Sequence, residues 1–368
     1  MTISIALDAM GGDFLAVPNL RGAYAAVNEA QAESVQLKVF LCGPAKELHQ
    51  SLEKISDDLT QARSSEYRII RSVFDQLLEA GSLEIVDCPE VVGMDENPLT
   101  VVRSKKESSM AKTYQLVKEG RAAAAISAGN SGAMMAYGIS ILGRLPGVKR
   151  PAILCHFPST HGVTALLDAG ANVDSQPMHL VQFAKMGLLY MRSVVQIEKP
   201  RVALLNIGSE EGKGNELVKE THPLLKKELG SSYVGFVEGR EILSGDVDVI
   251  VCDGFVGNVA LKTAEGVAQA VRSILKEEMS RNPIWGLGAW LAKGGFMAMK
   301  NKLDYREYGA APLIGLNGIG LVAHGSSDAR AIHSAIRNAI NFSQSSFLRD
   351  VTSELSQLDS ASKEKGDV

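Results

Sequence analysis

Ala122–Ala136 reads AAAAISAGNSGAMMA, and the reading of this stretch decides the fold. The small apolar run Ala122–Ile126 predicts a strand, and helix-forming residues follow over Ala133–Leu142. Between them, Gly129 and Gly132 permit a tight turn whose backbone N–H groups converge on one spot. Ser131 is placed to cap the helix, so the positive end of its dipole faces that spot too. Such a turn suits an anion, phosphate above all. Taken alone, it is also an ordinary way to join a strand to a helix.

The chain repeats the device. Ile3–Leu7 runs into Asp8-Ala-Met-Gly-Gly-Asp13, and Gln36–Leu41 and Leu83–Val86 give two more strands. Ala152–His156 and Val163–Asp168 flank a Pro- and Gly-containing loop, which predicts a hairpin closed by Asp168-Ala-Gly-Ala-Asn172. Arg201–Ile207 leads into Gly208-Ser-Glu-Glu-Gly-Lys-Gly-Asn215, and Val247–Cys252 into Asp253-Gly-Phe-Val-Gly-Asn258 with a helix from Val259. Ile319–Ala323 ends in His324-Gly-Ser-Ser before a helix from Asp328. Alternating strands and helices predict an α/β fold, a three-layer α/β/α sandwich with a mostly parallel sheet. Ligands bind such sheets outside the carboxyl ends of the strands, where these Gly-rich turns fall. The expected organisation is one catalytic domain over residues 1–346, with 280–310 as a protruding tip and 347–368 as a partly disordered tail.

Composition limits the function classes. The 368 residues are 45% hydrophobic and 22% charged, with a net charge of −4, which offers nothing to a general nucleic-acid binder. Cys42, Cys88, Cys155 and Cys252 are far apart without metal spacing, and read as reduced thiols of a cytoplasmic protein. The opening MTISIALDAMGGD lacks the basic region of a signal peptide, and no run is long and apolar enough to span a bilayer. Neither a complete G-x-G-x-x-G nor a P-loop is present, so no nucleotide cofactor is expected. No metal is expected either, since His156 and His161 make a poor ligand pair and Asp246 and Asp248 flank a strand. Without a G-x-S-x-G or an activated thiol, the chemistry left is one in which the substrates bring nucleophile and leaving group. The protein then supplies position and hydrogen-bond donors.

DAMGGD, VRSKKESSM, SAGNSGA, LDAGAN, LLNIGSEEGKGN and DGFVGN together resemble the PlsX family of phosphate acyltransferases, from Ile3 to about Gly325. The resemblance implies a cytoplasmic homodimer with a fold like that of isocitrate/isopropylmalate dehydrogenase or phosphotransacetylase. It implies transfer of a fatty acyl group from acyl-[acyl-carrier-protein] to inorganic phosphate, giving acyl phosphate for a membrane glycerol-phosphate acyltransferase. In this sequence Ser131 stands where the family often has Thr, and the hydroxyl is kept.

The residues fit that reaction. Phosphate is already a nucleophile, and a thiol of pKa ~8.5 leaves without a strong acid. The expected cradle is the N–H groups of Gly11, Gly12, Gly129 and Ser131, with Ser127 and Gly132 in the same turn and charge from Lys105, Arg103 or Lys213. Asn130, Asn172, Asn215 and Asn258 are candidate oxyanion donors, with Asp8, Asp13, Asp168 and Asp253 orienting them. Pro283–Met299 holds Trp285, Trp290 and one charge, Lys293, and Lys300, Lys302 and Arg306 follow. This stretch suits a membrane surface, the carrier protein, an acyl chain or a second subunit. Competing readings are a phosphotransacetylase with a coenzyme A donor, a Mg²⁺- and NAD-dependent decarboxylating dehydrogenase, and a non-catalytic membrane scaffold.

Overall fold

The structure is a computed structural model that describes residues 2–57, 67–303 and 309–363. The chain opens with β1 (Ile3–Asp8), α1 (Ala16–Ala32), β2 (Leu37–Gly43), α2 (Ala45–Asp57), α3 (Arg71–Glu79) and β3 (Leu83–Asp87). Next come α4 (Pro98–Ser104), α5 (Ser109–Lys118), β4 (Ala124–Ser127), α6 (Ser131–Ile141) and β5 (Ala152–Ile153). The middle holds β6 (Cys155–Ser159), β7 (Gly162–Leu167), α7 (Pro177–Ser193), β8 (Val202–Asn206), α8 (Glu216–Leu229), β9 (Tyr233–Glu238) and β10 (Val249–Val251). The remainder is α9 (Gly254–Arg281), α10 (Pro283–Leu291), α11 (Lys293–Leu303), β11 (Ala310–Ile314), β12 (Ile319–Ala323), α12 (Ala329–Gln344) and α13 (Phe347–Lys363).

The strands form two sheets, each mostly parallel, as the alternating pattern predicts. Among the described residues, one runs β3-β2-β1-β4-β12-β11-β5, antiparallel only where β11 meets β12 and β5. The other runs β6-β7-β10-β8-β9, antiparallel only within the expected β6–β7 hairpin. The chain divides into two compact units where the sequence predicts one domain. The first is Met1–Ile153, Leu189–Ile197 and Arg306–Val368, and the second is Leu154–Leu188 and Glu198–Tyr305. The cause lies in pairing: Ala152 and Ile153 join β11 of the first sheet, while Cys155–Ser159 pair with β7 of the second.

In the first unit β4 is buried along its whole length between β1 and β12. Its alanines let neighbouring helices approach the sheet closely. α1 and α12 also meet at a small residue, since a Cβ on Gly22 would lie 2.6 Å from Ile332 Cβ. On α12, Ile332, Ala335, Ile336 and Ala339 repeat at helical spacing and are buried. Each large apolar side chain fully buried in this way contributes about 1.5–3 kcal/mol.

Two further expectations change, and one strand that the sequence reading passes over is present. Gly254–Asn258 is the first turn of α9 rather than a loop, because Asp253 caps the helix. Phe347–Lys363 is helical, with Phe347, Val351 and Leu355 buried in the first unit. Pro312 conceals β11 in the sequence, although a short antiparallel strand accepts it.

Candidate active site

In the first unit β1, β4 and β12 are adjacent and parallel, so their carboxyl ends share one edge. Ser127 ties that edge together: its Oγ donates to Asp8 Oδ2 at 2.7 Å and accepts from Gly129 N at 3.0 Å. Met10 N donates to Asp8 Oδ1 at 3.2 Å, and Asp8 is 2% exposed. Burial pushes the Asp8 carboxyl above its ordinary range, and these hydrogen bonds draw it only part of the way back.

Asn130, not Ser131, caps α6, with Oδ1 accepting from Ala133 N at 3.0 Å. The helix begins one residue earlier than the sequence suggests, and an Asn oxygen reaches that N–H as well as Ser would. Asn130 Nδ2 donates to Met94 O at 2.7 Å and Glu96 O at 3.0 Å. Its amide is therefore committed to pinning the 92–97 loop, not open to an oxyanion. Gly129 N is spent on Ser127, and Gly11 N on Asp8 O at 3.3 Å. Among the described residues, the N–H groups of Gly12, Ser131 and Gly132 make no hydrogen bond. With the positive end of α6, they are the donors this edge leaves open, and a helix N-terminus favours an anion. Gly12 is required as glycine: its φ is +98°, and a Cβ would lie 2.9 Å from Gly325 O. Asp13 is exposed, and its N–H donates to that same oxygen at 2.8 Å.

The predicted bases differ in how they are held. Lys105 Nζ donates to Val91 O at 2.7 Å and pairs with Glu96 at 2.6 Å. Lys105 pulls the Glu96 carboxyl below its ordinary range. Arg103 is exposed in the last turn of α4. Lys213, in the second unit, makes only an exposed pair with Glu210 at 3.5 Å.

In the second unit Asp168 is 0% exposed and organises its own turn. Gly170 N and Ala171 N donate to Oδ1 at 3.2 and 3.1 Å, and Asn172 N and Nδ2 donate to Oδ2 at 2.6 and 2.8 Å. The start of α9 lies hard against this turn. Gly254 N donates to Asn172 O at 2.8 Å, and a Cβ on Gly257 would overlap Asp168 O. Asp253 caps α9 through Val256 N and Asn215 caps α8 through Val218 N, at 2.9 and 3.0 Å. The Asn215 Nδ2 and the whole Asn258 amide make no hydrogen bond among the described residues, and both residues are exposed. Asn206, which the sequence reading passes over, shapes the glycine-rich loop by donating to Gly208 O at 3.0 Å and Lys213 O at 3.2 Å.

No thiol is set up as a nucleophile. Cys42, Cys88 and Cys252 are buried. Burial pushes Cys252 well up and Cys155 up to about 12. The Cys88–Cys42 hydrogen bond raises Cys42 and lowers Cys88, but Cys88 sits inside an apolar cluster. Among the described residues no group of three or more His, Cys, Asp or Glu gathers at a metal site, and no helix is long and apolar enough to cross a membrane. In α10, Trp285 and Trp290 are 49% and 69% exposed, with Ile284, Leu287 and Leu291 exposed beside them. Lys293 opens α11 and is exposed, and Lys300 and Lys302 fall in the same helix. Arg306 lies outside the described residues.

A family model described as "Fatty acid synthesis protein" matches residues 3–349. The chain is 43% identical to the phosphate acyltransferase of Pelotomaculum thermopropionicum, over 97% of this chain and 96% of the relative. It is 44% identical to that of Geotalea uraniireducens, over 92% and 90%. A phosphotransacetylase from Streptococcus pyogenes shares the fold at a TM-score of 0.56 and 13% identity, over 93% of this chain and 94% of that one.

Proposed function

The chain belongs to the phosphate acyltransferase family, and we propose that its acyl donor is a fatty acyl-[acyl-carrier-protein] and its product an acyl phosphate for phospholipid synthesis. Transfer of an acyl group to phosphate is the activity of the family, and the enzyme is an acyltransferase. A phosphate oxygen attacks the thioester carbonyl carbon, the C–O bond forms, and the C–S bond then breaks. The thiolate leaves and takes up the proton that phosphate gives up, so no enzyme nucleophile or metal is required.

Gly12, Ser131 and Gly132 are suited to hold the phosphate, and Arg103, in the same unit, to balance its charge. Within the second unit, Asn215 and Asn258 are the amides suited to an oxyanion, because their donors are uncommitted among the described residues. One such donor is worth about 10²–10³ in rate at comparable sites. Asp8, Asp168, Asn130 and Asn172 act by holding turns in shape.

The exposed apolar face of α10 carries the long-chain reading over a coenzyme A donor. A soluble short-chain enzyme has no use for two exposed tryptophans, whereas a lipid-like product gains from release beside a bilayer. On this reading the protein is a cytoplasmic homodimer that sits on the inner face of the cell membrane near the glycerol-phosphate acyltransferase. Thiol release from acyl carrier protein and from acyl-coenzyme A, each with and without phosphate, tests the donor. Phosphate-dependent release from the carrier protein is expected, and faster release from coenzyme A overturns the reading. The double change Trp285→Ser with Trp290→Ser is expected to lower binding to anionic liposomes while phosphorolysis persists. Loss of the dimer on gel filtration instead identifies α10 as a subunit contact.

A further inference from the structure

Residues 120–167 hold no aspartate or glutamate, although the chain carries 42 acids in 368 residues. Within that span the loop after α6 reads Gly143-Arg-Leu-Pro-Gly-Val-Lys-Arg150. Arg144, Lys149 and Arg150 are exposed, whereas Leu145 and Val148 are buried. Ile139, exposed near the end of α6, joins Gly143, Arg144, Leu145, Val148 and Lys149 in lining a cleft of about 640 Å³. The cleft lies wholly within the first unit.

Backbone hydrogen bonds hold the loop in shape. Leu145 N donates to Gly315 O at 3.0 Å, Asn317 N to Gly143 O at 3.0 Å, and Val148 N to Leu145 O at 3.1 Å. Arg144 Nη1 donates to Lys149 O across the loop. Neither Arg144 nor Arg150 has an ion pair among the described residues. α13 brings Glu354 towards this face, since Gly147 packs against the carbonyl of Leu355. The three bases still leave the face positive. A surface whose geometry is fixed in advance loses little freedom when a partner binds.

The cleft also stands at a defined distance from the site. α6 begins in the Ser127–Gly132 turn and the cleft lies at its far end, so its 11 residues at about 1.5 Å each set the two about 16 Å apart. Gly132 and Ile139 stand two turns apart on one side of the helix, and both are exposed.

We propose that this cleft docks the carrier protein that delivers the acyl donor, an acidic protein whose thioester hangs on a flexible prosthetic arm. The inference rests on the carrier-protein reading of the donor. Opposite charge supplies the recognition: acids on the carrier meet Arg144, Lys149 and Arg150, with Ile139 as an apolar contact beside them. An arm as long as five or six extended residues, roughly 17–20 Å, spans the distance from the cleft to the Ser131 and Gly132 N–H groups. A recess fits a protein ridge better than it fits a flat bilayer.

Steady-state phosphorolysis of acyl carrier thioester and of acyl pantetheine, which keeps the end of the arm but lacks the protein, tests this in two variants. One is Arg150→Glu, and the other combines it with Arg144→Glu. Calorimetric titration with carrier protein and co-sedimentation with anionic liposomes accompany each. The double change is expected to raise the carrier-thioester KM about 10- to 100-fold, with kcat, the phosphate KM and the acyl-pantetheine KM within about twofold. Arg150→Glu alone removes a side chain that holds nothing in the loop among the described residues, and is expected to raise it about 3- to 10-fold. Arg144→Lys with Arg150→Lys keeps the charge and is expected to stay within about threefold of the wild type. A rise of less than about threefold in the double variant, an equal rise for acyl pantetheine, or loss of liposome binding with the carrier KM unchanged overturns the proposal. A wild type that turns over acyl-coenzyme A but not the carrier thioester defeats the donor reading. The docking assignment then stands if the wild type binds carrier protein and the double change abolishes that binding, and it falls otherwise.

Discussion

Two buried aspartates stand at strand ends, one in each unit, and their surroundings differ. Asp168 accepts N–H hydrogen bonds on both carboxyl oxygens from its own turn. Asp8 accepts from Met10 N and from the hydroxyl of Ser127, which belongs to another strand. The Asp168 turn is thus closed on itself. The Asp8 turn is held by a contact across the sheet, which leaves it dependent on its neighbours.

The largest expected effect probes the closed turn. Gly257→Ala forces a methyl into the Asp168 carbonyl, a backbone atom that cannot swing aside. A loss of about 3 kcal/mol is expected in urea unfolding. Gly129→Ala meets the end of Met110 at 2.8 Å and Ser127 Oγ at 3.1 Å, both side-chain atoms that can move. It should cost about 1 kcal/mol, and an equal cost for the two breaks the contrast.

Asparagine substitutions come next. Asp168→Asn turns an NH₂ onto two N–H donors whichever way the amide is flipped, and should cost about 2–3 kcal/mol. Asp8→Asn can point its NH₂ at the Ser127 hydroxyl, and should cost about 1 kcal/mol or less.

The pH dependence of that second variant sharpens the point. Folded Asp8 titrates above its ordinary value of 3.8. Its protonated form therefore contributes stability fully below that value, and the contribution is lost as pH rises through the folded pKa. Asp8→Asn, which stays neutral, should gain on the wild type as pH rises over this window in paired urea titrations. A constant gap between the two curves shows that the carboxyl is not destabilised by burial.

The smallest expected effect concerns the lysines. Lys213→Ala removes an exposed pair and should shift stability by less than about 0.5 kcal/mol in urea unfolding. Lys105→Ala frees the Val91 carbonyl and Glu96, and should cost about 1 kcal/mol by the same measurement.

The strands and their Gly-rich ends are legible in the sequence because apolar runs and turn residues report directly on backbone needs. Which polar residue serves the ligand is not legible, and the reason is physical. Asn130, Asn215, Asp253 and Asp328 all cap helices, accepting from an N–H three residues on. Helix caps and oxyanion sites select the same short polar side chains, so one sequence signal serves two purposes. The role of Glu96 depends on Lys105 folding back across α4, and the division into two units on Ile153 pairing with Leu313. Neither leaves a local mark.

β4 has β1 on one side and β12 on the other, so strands far apart in the chain meet beside the turn that follows β4. At roughly 5–20 residues per second, synthesis runs for about 10–40 s between the completion of β4 and the arrival of β12. Throughout that interval the nascent sheet carries an open parallel edge, the kind that recruits stray strands. The enzyme is therefore most exposed to aggregation while still being made, until β12 arrives to cover that edge.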